Sequence, residues 1–448
     1  MKNMDSFKGH FELHAKDSLL AYPHYRQLVI DEGRTGAILK DVKVYEYLLM
    51  FLLLALSGNP FFTQKLPIVV TLASIIPGYY ILANKGKNLT YRTLFIFVFF
   101  IGYELLHAIM FRLDYTLTII KLFLVLLFSF GVVNILKDRF VKVLVATMYF
   151  ICIISFVFTI LCYVPGVNKF LYNLAAHLIP LKKDYNGYFT PTLIMYTFYP
   201  GYFSGYYSFP KNAGIFWEGG AFAVFLNITL YFYYSTKKIV APRDLFDKVS
   251  IVFIVAILTT VSTMGFLALA TILTFYTIQL KSNFKYGFLI LSLVAFYVAY
   301  HSFDFLGSKI NEQLATSGQI NNRFGSALKD LSDIMKRPIL GWSHRLEVLF
   351  GTSVFNDSAH RPNGLTNFIR NYGFLYFSVY FYFVYTSFKR IGEYYNKGAV
   401  GIALFGVLLL WIVSFSELIF DTPLLKSLVF LFLVYYPVNV SDIFKGVS

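Results

Sequence analysis

Apolar runs approaching 20 residues, parted by short polar or charged segments, recur along most of this 448-residue chain. Runs of that length match the hydrocarbon thickness of a bilayer when helical. In lipid every backbone group must be satisfied internally, and these runs lack the period-two alternation of barrel strands. The pattern predicts an all-α, polytopic integral membrane protein with about 12 transmembrane helices, at 44–58, 66–83, 93–111, 115–136, 140–163, 214–234, 247–262, 264–280, 285–305, 366–388, 399–417 and 423–440. The runs 247–262 and 264–280, parted only by "STMG", read either as two spans or as one broken helix with a re-entrant tip.

The polar segments set an orientation. The short loops "NKGKNLTYR", "KDRFVK", "STKKIVAPRDLFDK", "KSNFK" and "FKRIGEYYNK" are basic and fall on one side of such a topology, whereas "SGNPFFTQ" and "RLDY" on the other carry little net charge. Basic short loops mark the cytoplasmic face. Both termini are then expected in the cytoplasm, as tails 1–43 and 441–448 around a single transmembrane domain, 44–440. Two long loops, 164–213 and 306–365, fall outside. Channels and carriers often keep loops short, so these point to chemistry or binding on the outer face.

Composition agrees with this class. The chain is 57% hydrophobic and 20% aromatic, with 14% charged residues and a mean hydropathy of +0.61. Its net charge of +15 is accounted for by cytoplasmic loops meeting anionic lipid, and no nucleic-acid module is present. The first 43 residues lack a signal-peptide pattern, and no cleaved signal is expected. Cys152 and Cys162 share one span and predict neither a disulfide nor a metal site. Walker loops, dinucleotide fingerprints and zinc spacings are absent, so no cofactor and no metal is expected. The lack of an inverted repeat argues against a transporter.

The candidate chemistry lies in and beside the outer loops. Glu218, in "KNAGIFWEGG", falls within an expected span, where a carboxylate near the bilayer centre costs roughly 2.5–3.5 kcal/mol. The first outer loop carries seven tyrosines between Tyr185 and Tyr207, suited either to the membrane interface or to stacking on sugar rings. In the second, Phe324, Leu328, Leu331 and Met335 recur at helical spacing, with Lys329, Asp330, Asp333, Lys336 and Arg337 mostly off that stripe. This reads as an amphipathic helix fit for a membrane surface, ended by Pro338 and Gly341. Arg323 opens it, and His360, Arg361 and Arg370 cluster at the entry to the next span. Glu104 and His107, at i and i+3, read as a buried hydrogen-bonded pair, and Glu417 and Asp421 as water-facing residues at a span end.

These segments resemble the bacterial O-antigen polymerase and O-antigen ligase superfamily, that is, Wzy-type polymerases and their ligase relatives. "KNAGIFWEGGAFA" is similar to the family's Arg-x-x-Gly-(apolar)-Phe-x-Glu-Pro-Gly segment, with Lys211 at the Arg position and Gly219 at the Pro position. "LTTVSTMGFLALA" is similar to its Thr/Ser-rich helix break, and "NNRFGSALKDLSDIMKRPILGW" to its Arg…Ala…Ile…Pro-(apolar)-(apolar)-Gly stretch. "HRPNGLTNFIRNYG" resembles the His-bearing element; Asn363-x9-Gly373 keeps its spacing, while Pro362 precedes Asn363 and the His stands two residues earlier. The likeness covers about residues 200 to 390.

The resemblance implies polymerisation of undecaprenyl-diphosphate-linked oligosaccharide repeat units in the bacterial cytoplasmic membrane, in O-antigen or capsule synthesis. The growing glycan would leave its lipid diphosphate for the next lipid-linked unit. Such a reaction needs cations for the diphosphate, expected from Lys211, Arg323, Arg361 and Arg370, in place of a metal ion. It needs a base for the acceptor hydroxyl, expected from Glu218 or His360, Glu218 alternatively orienting an arginine; Arg323 counts among the catalytic candidates. Expected partners are membrane lipids, a chain-length regulator and a flippase, with no nucleic acid. The alternatives are an O-antigen ligase passing polymer to lipid A core and, from another class, a polysaccharide flippase.

Overall fold

The structure is a computed structural model, and it describes residues 41–84, 89–179, 190–203, 209–280, 285–287, 290, 323–345, 348–349, 361–395 and 398–435. Among them the chain is helical, the only extended pairing being an isolated bridge between Thr192 and Thr197. The apolar runs form α1 (Val44–Gly58), α2 (Leu66–Ala83), α3 (Tyr91–Phe111), α4 (Thr116–Leu136) and α5 (Phe140–Cys162). A short amphipathic helix, α6 (Val167–Leu178), follows in the first long loop. Beyond it come α7 (Gly219–Thr236), α8 (Lys248–Thr259), α9 (Thr263–Ile278), α10 (Arg323–Lys336), α11 (Gly364–Tyr394), α12 (Ala399–Ser414) and the short α13 (Pro423–Leu428).

Two stretches are long and apolar enough to cross a membrane, Tyr91–Phe111 and Thr116–Cys162. The second is divided between α4 and α5 at Lys137, whose φ of +51° turns the chain. Large apolar side chains point outward along α2 and α3, among them Ile68, Leu72, Leu82, Val98 and Ile109.

The core centres on α7, which is buried along almost its whole length and packs on α5, α8, α9, α11 and α12. Tyr233, near its end, bonds Asp247 at the start of α8, while Gly219, at its beginning, lies against Thr260 just past the end of α8. Helix α8 therefore runs antiparallel to α7. Asn227 donates to Gly265 O at 3.2 Å and Ser235 meets Tyr276 at 2.9 Å, so α9 runs parallel to α7. The "STMG" region is thus at the tip of an antiparallel hairpin, a geometry common to two spans and to a re-entrant pair.

Three expected spans differ from the observed helices. The run 214–234 becomes helical only at Gly219, because 214–218 is held in turns and bends that begin at Gly214 (φ +53°). The run 423–440 is not one helix as far as it is described, to 435: α13 ends at Leu428 and a 3₁₀ turn, Leu431–Leu433, follows, with all but Leu433 deeply buried. The run 285–305 lies almost entirely outside the described residues.

Helix α11 is kinked at Gly373 (φ +67°, ψ 174°), and the chain after α10 docks into the kink. Trp342 N donates to Arg370 O (2.9 Å), Ser343 N to Asn371 O (2.7 Å) and Phe374 N to Pro338 O (2.7 Å). The backbones meet so closely that a Cβ on Gly341 would lie 2.5 Å from Asn371 O, and one on Gly373 would collide with Ile339 O. Both glycines also have positive φ, which other residues adopt at a cost. The Pro338-x-x-Gly341 stretch and Gly373 of the sequence motifs are two halves of one joint.

Candidate functional site

The segment before α7 is tied down by Asn212. Its side chain donates to Ser155 Oγ (3.0 Å) on α5 and Thr259 Oγ1 (3.1 Å) on α8, and accepts from Gly214 N (3.0 Å). Lys211 lies over the Tyr199 ring, 5.6 Å from its centre. The segment ends in Glu218, whose extended backbone (φ −158°, ψ 169°) makes it the N-cap of α7. Its carboxylate accepts no capping hydrogen bond, so it turns aside from the helix while staying at the positive end of the helix dipole.

Two glycines let other chain segments reach this end. A Cβ on Gly219 would stand 2.6 Å from Thr260 O and 3.3 Å from Asn212 O. The hairpin tip there contains Val261 at φ +51°, a left-handed conformation that a β-branched residue adopts only under strain. A Cβ on Gly220 would stand 2.5 Å from Glu417 Oε1 and 3.3 Å from Glu218 Oε1. Glu218 and Glu417, some two hundred residues apart in sequence, therefore flank one glycine. Arg323, the first residue of α10, places Nη2 3.8 Å from Glu417 Oε1. Its Nε has no hydrogen-bond partner among the described residues. Gly364 completes the enclosure by letting the start of α11 press on the backbone of Ser414 and Glu417.

Arg361 and Arg370 stand elsewhere. Arg361 Nη1 contacts Asp330 Oδ1 (2.8 Å) and Asp333 Oδ2 (2.7 Å), and Arg370 Nη1 contacts Asp330 Oδ1 (2.8 Å). Thr366 Oγ1 donates to the other Asp330 oxygen at 2.8 Å. All four charged groups are buried. Burial raises the Asp333 carboxyl, but Arg361 and Lys336 outweigh it and hold the group below its usual range. Guanidinium groups engaged in this way have little charge to offer an anion, so these two expected diphosphate ligands instead fasten α10 to α11.

A second polar group gathers on the other side of the 415–422 segment. Lys426, buried, reaches Asp421 Oδ1 (3.0 Å) and the Tyr376 hydroxyl (3.2 Å), amid the rings of Phe100, Phe368 and Tyr380. The Tyr372 hydroxyl is 3.5 Å from Asp421 Oδ2. Glu104 Oε1 lies 3.6 Å from His344 Nδ1. Burial pushes the His344 imidazole down to about 4, against the pull of Asp421. His107 bonds Leu340 O at 2.7 Å and not Glu104, which corrects the expected pair.

The structure thus brings together Glu218 and Arg323, with Lys211 on the same segment as Glu218, and sets Arg361 and Arg370 apart; His360 lies outside the described residues. Glu417, expected to face water, is buried between Glu218 and Arg323. The sequence signal for it was present: "FSELIFDTPLLK" places Glu417, Asp421 and Lys426 in an otherwise apolar stretch. No protein-family model matches the chain, and neither a curated protein nor a solved structure matches it significantly.

Proposed function

We propose that the protein is a multi-pass membrane glycosyltransferase that polymerises undecaprenyl-diphosphate-linked oligosaccharide repeat units on the outer face of the bacterial cytoplasmic membrane. The observation that carries this reading is the meeting of Glu218, Glu417 and Arg323 at the positive end of α7, from three distant parts of the chain. A helix N-terminus with an adjacent arginine is a natural place for a phosphate group. Glu417 holds the Arg323 guanidinium from one side, while the Arg323 side chain stays partly accessible to a phosphate group. Lys211 supplies a second cation on the neighbouring segment.

In this reading the acceptor hydroxyl oxygen bonds to the anomeric carbon of the donor as its bond to the diphosphate oxygen breaks. The electron pair leaves on the diphosphate, stabilised by Arg323 and the α7 terminus. The proton passes to Glu218, which the Glu417–Arg323 pair releases from an orienting role.

The setting supports membrane burial. On α10 the apolar residues Leu328, Leu331 and Met335 face outward while Asp330 and Asp333 face the protein. A helix inverted in this way suits contact with lipid. The outward apolar residues of α2 and α3 suit lipid as well.

Glu218→Gln is expected to abolish polymer with the protein still in the membrane; full-length polymer from this variant would remove Glu218 from the reaction. Deletion followed by glycan gels separates the functions. Single repeat units at the surface identify a polymerase. Polymer accumulating on undecaprenyl diphosphate identifies a ligase, and repeats trapped inside identify a flippase.

A further inference from the structure

Helix α10 presents three faces where a helix in water needs two. At about 100° per residue its positions fall into three sectors roughly 100–150° apart. Ser326, Asp330, Asp333 and Ile334 are buried against the protein. Phe324, Leu328, Leu331 and Met335 are exposed, Met335 by 72%. Lys329 and Lys336, nearly in line along the helix, occupy the third sector and are exposed as well. A helix in water has no use for the second face, and one running upright through hydrocarbon would hold the third in lipid. A helix lying at the boundary meets protein, acyl chains and headgroups at once.

The two ends of α10 fix its direction. Its first turn rests on Phe415, just past the end of α12, with the Phe324 and Phe415 ring centroids 5.3 Å apart. Arg337, just past its last turn, lies over Phe111, the last residue of α3, at 5.1 Å, and over Trp342 at 4.5 Å. A helix that reaches from one helix end to another lies across the bundle and not along it. The 21 residues of α3 span about 31 Å, the thickness of the hydrocarbon layer, so Phe111 marks its edge. Ile339, whose carbonyl accepts from Tyr103 of α3, is exposed like Ile109 near the end of that helix, so apolar surface carries over from α3 towards α10.

The charges name the headgroup. Asp330 and Asp333 are matched by Arg361 and Arg370, and Arg323 by Glu417. Lys336 also reaches Asp333, at 3.2 Å, but Arg361 already shares that carboxylate. Lys329, Lys336 and Arg337 thus carry positive charge beyond what the acids of this cluster balance. Cations at the border of an apolar helix face draw anionic lipid.

We propose that α10 is seated in the outer leaflet, its apolar face among the upper acyl chains and Lys329, Lys336 and Arg337 on the phosphates of anionic phospholipids. This goes beyond the reaction proposed above and rests only on its membrane setting. A helix so seated holds Arg323, its first residue, at headgroup level, the height at which the diphosphate of a lipid carrier lies.

The test uses the full chain in vesicles of phosphatidylethanolamine and phosphatidylglycerol, with a fluorophore on one introduced cysteine; the native cysteines are buried. Val98→Cys, on the exposed side of α3, is the reference, and Leu331→Cys reports α10, with Leu328→Cys in its place should it not accumulate. Nitroxides carried on the acyl chains, shallow or deep, quench fluorophores at their own depth. The Val98 label should be quenched best by the deep nitroxide, and the Leu331 label at least two-fold better by the shallow one. Quenching of neither label would overturn the membrane setting itself. Quenching of the Val98 label alone leaves that setting intact and overturns the seat of α10: iodide in solution then reaches a helix in water and fails to reach one covered by a second copy of the chain. A Leu331 label quenched best by the deep nitroxide would make α10 a span and overturns the seat as well. The headgroup is tested by placing the shallow nitroxide on phosphatidylglycerol or on phosphatidylcholine. The first should quench the Leu331 label at least two-fold better, and Lys329→Gln with Lys336→Gln should remove that preference without changing the depth. Equal quenching by the two lipids with both lysines present would overturn the anionic headgroup.

Discussion

Neighbouring glycines at the start of α7 make opposite demands on a substituted side chain. An alanine at 219 would press on the carbonyls of Thr260 and Asn212, which cannot rotate away. An alanine at 220 would press on the ends of the Glu417 and Glu218 side chains, which can. Gly219→Ala should therefore lower the thermal midpoint, at a cost of about 1–3 kcal/mol as for other overpacked sites. Gly220→Ala should leave the midpoint near wild type while sharply reducing polymer on glycan gels, because it moves both carboxylates off the α7 terminus. Equal loss of stability in the two variants would contradict the geometry described. Asp330→Ala should be more damaging than either, since it removes the shared partner of two buried arginines. Breaking a buried pair from one side costs about 3–5 kcal/mol, and detergent-solubilised protein should show it as early unfolding.

At the scale of elements, helices were legible where burial and apolar length coincide. The runs at 93–111, 115–136 and 140–163 became α3, α4 and α5 within two residues at each end. The amphipathic stripe of α10 was legible too, because it needs only helical spacing. Which face of α10 meets protein was not, since periodicity does not say whether the surrounding medium is water or hydrocarbon. Glu218 and Arg323 were legible as charges out of place. Their link through Glu417 was not, because it depends on a glycine at 220 that brings two distant segments together. His344, carried by the chain that follows α10 and docks at the α11 kink, gives a pH test of this joint. Its imidazole is pushed down to about 4, from an unfolded value near about 6.5. The stability gained from keeping it neutral is thus fully present above about pH 6.5 and is lost as pH falls towards 4. The slope is at most about 1.4 kcal/mol per pH unit for one proton. Glu104, His107, Lys121, Arg345 and Asp421 face or influence the same ring, so the signature to seek is a difference. Wild type should lose stability between pH 6.5 and 4 more steeply than His344→Gln, measured by thermal denaturation.

For the molecule as a whole, the proposed orientation puts the hairpin tip at Val261, α6 and α10 on one side of the bilayer, and the chain between α7 and α8 on the other. Cys152 and Cys162 are both buried, so the native chain is a quiet background for labelling. In intact cells a membrane-impermeant maleimide should label Asn168→Cys on α6, and should label Lys238→Cys only after lysis. The reverse pattern would place Arg323 and Glu218 in the cytosol, away from exported glycan, and would end the polymerase reading.

The Asp330–Arg361–Arg370 knot also dictates an order of events during biosynthesis. The aspartates leave the ribosome before the arginines that neutralise them, with the chain from 337 to 360 still to follow. Until α11 is in place, α10 offers Asp330 uncompensated, and Asp333 with only Lys336, on one flank and a greasy stripe on the other. A nascent chain halted between these helices would therefore be a ready target for quality-control proteases, because the junction closes only once the chain has been made as far as Arg370.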